Sequence, residues 1–110
     1  MADLQRVVQI LESYGIPYWT EGKNVNPGWV SINCPFCKDP SNHLGIFPDS
    51  LKINCWRCGP QGTLFSALRL LTGITRAEYD ILTKDKYKVN FQKSALKQVK
   101  AVLARQKSLS

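Results

Sequence analysis

The 110-residue sequence predicts one small α+β domain, with three to five short antiparallel strands flanked by an N-terminal helix and C-terminal helices. Three observations predict it. Apolar residues recur at helical spacing near both ends of the chain. The middle alternates apolar and polar residues between clusters of Pro, Gly, Asn and Asp. Two Cys-x-x-Cys pairs, Cys34/Cys37 and Cys55/Cys58, punctuate that middle. A domain of this length buries a modest core, and such staples reinforce it.

The first element spans Ala2 to Tyr14, where Leu4, Val7, Val8, Leu11 and Tyr14 share a helical stripe. Asp3 suits its first turn, and Gly15 suits its end ahead of Ile16 and Pro17. Residues 18–33 read as a hairpin, with YWT and WVSIN as strands around the turn residues GKNVNPG. HLGIF (43–47) and LKINCW (51–56) read as a second hairpin across PDS. A helix follows from Thr63, its N-cap, to Leu71, with Gly73 closing it. Another runs from Thr75 to Thr83, where Thr75 and Glu78 stand at capping-box spacing. Residues 1–83 then form the domain, and residues 84–110 a basic tail or linker, helical in part. Within that tail Ser94 to Gln106 places Leu96, Val99, Val102 and Leu103 on one stripe. No internal repeat is visible beyond the two Cys pairs.

The formal charge is +7, and its location matters. Up to Thr83 basic and acidic residues cancel; from Lys84 onward there are eight basic residues and one acid, Asp85. Such an excess suits contact with a polyanion such as nucleic acid, and equally suits a solvated basic linker. No apolar run has membrane-spanning length, so no membrane role is expected. The N-terminus MADLQRVVQI lacks a secretory pattern, so the expected setting is the cytoplasm. There a reducing environment disfavours disulfides.

Cys34-x-x-Cys37, seventeen intervening residues and Cys55-x-x-Cys58 have the spacing of a four-thiolate zinc site. Two residues between cysteines allow a tight knuckle that turns both sulfurs toward one ion. Two knuckles complete a tetrahedron. Gly59 suits the turn after the second. An iron–sulfur cluster also takes four cysteines, whereas a redox pair needs one reactive Cys-x-x-Cys at a helix start. Four protein ligands leave no open position, so one Zn²⁺ here would be structural. Arg57 and Lys52 could balance its thiolate charge.

Strand alternation sorts the remaining residues. Val30, Ile32, Leu44, Ile46, Leu51, Ile53 and Cys55 fall on one side. Trp29, Asn33, His43, Phe47, Lys52, Asn54 and Trp56 fall on the other. Flat rings, amides and cations suit unpaired bases and phosphates. The same residues would also serve as a second small core beneath a helix. His43 is not needed as a ligand; it reads as a structural strand residue or as a base or phosphate contact.

Residues 34–73, CPFCKDPSNHLGIFPDSLKINCWRCGPQGTLFSALRLLTG, resemble the zinc-binding domain of bacterial and phage DNA primases. Cys34-Pro35-Phe36-Cys37, Ser41, and Cys55-Trp56-Arg57-Cys58-Gly59-Pro60-Gln61-Gly62 take the places of that family's knuckles, serine-containing stretch and Gly-x-x-Gly segment. Cys37, where bacterial primases commonly have His, is closer to the phage type. The resemblance implies a zinc ribbon that recognises a short start site on a single-stranded DNA template during replication. Its implied contacts are His43, Lys52, Trp56 and Arg57. Its implied partners are the template, a primase polymerase domain or separate catalytic subunit, and a helicase. Primer synthesis itself needs clustered acids holding magnesium. The eight acids here are scattered, so no catalytic centre is expected in this chain. It would be an N-terminal piece of a larger primase or a small protein beside a catalytic subunit. The alternative is a zinc ribbon that binds proteins or regulates transcription without reading DNA.

Overall fold

The computed structural model describes residues 4–84, 89–91 and 94–108. Within them the order is α1 (Leu4–Ser13), β1 (Val30–Cys34), β2 (Asp39–Ile46), β3 (Lys52–Cys55), β4 (Gly59–Thr63), α2 (Leu64–Thr72), α3 (Arg76–Thr83) and α4 (Ala95–Ser108). The strands form one antiparallel sheet in the order β1-β2-β3-β4. The α+β class and the flanking helices are therefore as the sequence predicts. Asp3 and Asp85 lie outside the described residues.

Register places the aliphatic residues on one face. Val30 lies opposite Ile46, Ile32 opposite Leu44, Leu44 opposite Cys55, and Ile46 opposite Ile53. All six are buried. Helices cover them with Val7, Ile10 and Leu11 from α1, Leu64, Ala67 and Leu68 from α2, and Tyr79, Ile81 and Leu82 from α3. Each such aliphatic side chain contributes roughly 1.5–3 kcal/mol by leaving water. On α1 the buried stripe centres on Ile10 rather than Leu4, which is exposed.

The predicted hairpin over 18–33 is reduced to one antiparallel bridge. Trp19 makes a single bridge to Ser31, its N–H donating to the Ser31 carbonyl at 2.9 Å and its carbonyl accepting at 2.8 Å. Positive φ at Gly22, Asn24 and Gly28 curls the chain instead of extending it. The curl is clasped to the sheet: Asn24 Nδ2 donates to the Ser41 carbonyl (2.8 Å), Asn42 Nδ2 to the Lys23 carbonyl (3.1 Å), and Ser31 Oγ to the Asn24 carbonyl (3.1 Å). β1 pairs with β2, whose eight residues provide a longer edge. The hairpin of 43–47 with 51–56 is present as β2 and β3.

The helix ends follow their sequence signals. Gly73 closes α2 at φ 72°, its N–H donating to the Arg69 carbonyl at 3.0 Å. Thr63 occupies the N-cap of α2 without a side-chain cap bond. Thr75 and Glu78 make the reciprocal capping box of α3. α4 packs Val99 and Val102 into the core. Gln98 fastens the segment before it, accepting from the Asn90 N–H at 2.8 Å and donating to its carbonyl at 2.7 Å. Arg6 of α1 donates to the Leu82 carbonyl at 3.0 Å and lies over the Phe91 ring. No helix among the described residues is long and apolar enough to cross a membrane.

Two tyrosines give a prediction. Burial, with a smaller contribution from Glu78, pushes the Tyr14 phenol up to about 12, and burial pushes Tyr79 to about 12 as well. Unfolded tyrosine ionises near ~10. Their contribution to stability is thus whole below pH ~10 and is lost as pH rises through about 12. The Tyr14 hydroxyl is sealed from solvent and has no hydrogen-bond partner among the described residues. Tyr14→Phe should leave neutral-pH stability unchanged or raise it by about 1 kcal/mol, and should flatten the alkaline loss. Urea midpoints of the variant and the parent at pH 8 and 11 check both statements.

Candidate metal centre and the opposite sheet face

Each Cys-x-x-Cys pair occupies the turn of a hairpin. Cys34 ends β1 and Cys37 precedes β2; Cys55 ends β3 and Cys58 precedes β4. Because β2 and β3 are neighbours, the two turns stand side by side. The residue after each second cysteine has positive φ, Lys38 at 56° and Gly59 at 92°, which swings the chain into the returning strand. All four sulfurs lie within 4.8 Å of one another. Cys34 Sγ is 3.6 Å from Cys58 Sγ, and Cys37 Sγ is 3.7 Å from Cys55 Sγ. Bonded sulfurs would be ~2.05 Å apart, so these are free thiols. A tetrahedron of metal–sulfur bonds near ~2.3 Å has edges of about 3.8 Å. The set could therefore hold one metal ion with little rearrangement.

The knuckles are electrostatically prepared. Burial pushes the Cys34 thiol up to about 12. Burial acts the same way on Cys55, but the Cys58 and Arg57 backbone N–H groups and neighbouring thiols outweigh it and bring Cys55 down to about 7. The Arg57 N–H donates to Cys55 Sγ at 3.4 Å. Such N–H groups favour thiolate over thiol. A bound cation would favour it for all four. Cys34 and Cys55 are buried and Cys37 and Cys58 face solvent, so the site is the outer end of the core. With four protein donors it leaves no position for a substrate, and an ion here would fasten the two hairpins together.

The face of the sheet away from the helices carries the other predicted residues. Trp56 and Phe47 are 49% and 37% exposed. Trp29 stands between them, its ring centroid 5.3 Å from Phe47 and 6.1 Å from Trp56. The alternative of a helix-covered second core does not hold for the described residues. Lys52 is exposed beside Phe47, whose N–H donates to the Lys52 carbonyl at 2.9 Å. His43 is half-buried at the other end, its carbonyl accepting from the Trp56 N–H at 3.1 Å. Asn54 lies opposite Gly45 between those ends. Arg57 is exposed in the second knuckle. His43, Lys52 and Trp56 are thus gathered on one face, and Arg57 borders it. Sequence reasoning left out the fit of Trp29 against Gly45, which joins the rings into a row; a glycine in mid-strand was the available signal.

Fold and site together define a small antiparallel-sheet domain with a four-thiol centre able to bind a metal ion. Comparison with known protein families, curated proteins and solved structures found no match.

Proposed function

We propose that the chain is a zinc-binding, template-recognition domain of the DNA primase type, which binds single-stranded DNA in primer synthesis alongside a catalytic domain or subunit. One observation carries this reading. A four-thiol centre able to hold an ion stands at one end of a sheet whose uncovered face presents Trp56, Phe47 and Trp29 beside Lys52, Asn54 and His43. Zinc is supported by the donor set and by sulfur spacings that match the edges of a tetrahedron around a single ion. A multi-iron cluster would hold the sulfurs farther apart. Single-stranded nucleic acid is supported by ring faces that stack on bases without a duplex groove. The C-terminal basic excess supports phosphate attraction.

The test uses the full chain with its metal content measured on the same sample. Labelled single strands and a duplex of equal length are titrated at two salt concentrations. The expected result is about one zinc per chain, preference for single strands, and affinity that falls steeply with salt as counterions are released. Trp56→Ala should weaken binding about ten-fold while the variant stays folded, since one base stack is worth roughly 1–3 kcal/mol. A folded, zinc-loaded chain with no salt-sensitive binding to any strand would defeat this reading in favour of a protein-binding ribbon.

A further inference from the structure

The uncovered sheet face is completed by a residue outside the segment that resembles primases. Trp29 belongs to the loop that follows the clasped curl, and precedes β1. It lies on Gly45 in the neighbouring strand. A Cβ built on Gly45 would stand 2.8 Å from Trp29 Cε3 and 3.2 Å from Cζ3. Real Cβ contacts are not that short, so any other residue at 45 lifts the ring. Gly45 does not have positive φ; it serves here for close approach rather than for a turn. The glycine lets the indole settle onto the sheet, where it touches Phe47 on one side and Trp56 on the other. Without it, those two rings would stand apart at opposite ends of the face.

We infer that Trp29 is a nucleobase-contacting residue and that Gly45 is its positioning residue. This rests on the single-strand reading above. A row of three rings, with Asn54 alongside, offers unpaired bases a continuous apolar wall and an amide for their edges. The clasp of Asn24, Ser31 and Asn42 holds the loop that delivers the central ring. Base contact therefore depends on the loop between α1 and β1 as well as on the knuckles.

The probe is a fluorescein-labelled oligothymidylate, titrated into the zinc-loaded full chain and into Trp29→Ala, Trp29→Phe and Gly45→Ala. Zinc content and near-UV circular dichroism are recorded for each. Trp29→Ala should lose about ten-fold in affinity or more, and Trp29→Phe should recover most of it. Gly45→Ala should lose several-fold with zinc content unchanged, because it moves the ring without removing it. Should Trp29→Ala fail to fold, a Trp19→Phe, Trp56→Phe double variant leaves Trp29 as the sole tryptophan, and the oligonucleotide should quench its fluorescence. If the parent binds but all three variants match it, or the sole Trp29 is not quenched, this inference fails and the functional reading stands. If the parent binds no strand, the functional reading fails and takes this inference with it.

Discussion

Stripping the ion from the zinc-loaded protein proposed above is expected to unfold the sheet rather than merely loosen one end of it. Two hairpins meet at the four sulfurs, and two of those sulfurs, on Cys34 and Cys55, are themselves part of the core. Ion binding to such a site contributes on the order of 10 kcal/mol to folding, while a whole domain is stable by only ~5–15 kcal/mol. The metal term is therefore comparable to the total. Chelation should abolish near-UV circular dichroism, and zinc addition should restore it. Cys55→Ser should behave like the chelated protein because it removes a ligand and leaves a hydroxyl in a buried position. Cys58→Ser, at an exposed position, should release zinc at a lower chelator concentration than the parent and lose less structure. Full retention of the near-UV spectrum and of amide protection in β2 and β3 after complete metal removal would sink the idea that the ion organises the fold.

The sites that were legible in the sequence are those whose signals are local. Thr75 with Glu78, and Gly73 after Leu71, mark helix ends through bonds made within a turn or two. The Cys-x-x-Cys pairs announce a four-thiol cluster able to hold a metal ion because knuckle geometry depends on four consecutive residues. β2 and β3 were readable because HLGIF and LKINCW alternate across a short turn. β4 was not, since GPQGT has neither alternation nor apolar residues. It is a strand because the knuckle before it returns the chain beside β3, with Lys52 opposite Thr63. The shortfall of the hairpin over 18–33 has the complementary cause. YWT has the composition of a strand, but positive φ at Gly22, Asn24 and Gly28 and the side-chain clasp around Asn24 hold the intervening residues in a curl, so only Trp19 meets the free edge of β1, at Ser31. The seat of Trp29 on Gly45 depends on the β1–β2 register, which no local pattern states. In each case the illegible feature is a pairing choice between distant segments.

Adjacent residues at the end of β2 should separate stability from binding. Leu44 and Ile46 of β2 are fully buried against the helices; Phe47, the next residue, turns to the opposite side and is 37% exposed. Leu44→Ala removes buried methyl groups between Ile32 and Cys55, its cross-strand neighbours, and should cost about 2–5 kcal/mol. For a domain of this size that lowers the melting temperature by on the order of 10 °C. Phe47→Ala loses its ring contact with Trp29, worth roughly 0.5–1.5 kcal/mol beyond area, and should shift the melting temperature by a few degrees, about 5 °C. Oligonucleotide affinity should invert that order: unchanged for Leu44→Ala below its melting point, and several-fold weaker for Phe47→Ala. Thermal melts and anisotropy titrations on the same preparations supply both numbers. Equal melting temperatures for the two variants would contradict the assignment of the buried face. Weakened binding in Leu44→Ala with none in Phe47→Ala would place recognition on the helix side. The expected inversion follows from a period of two at the end of β2, which sends one residue to the core and its neighbour to the open face where the rings lie.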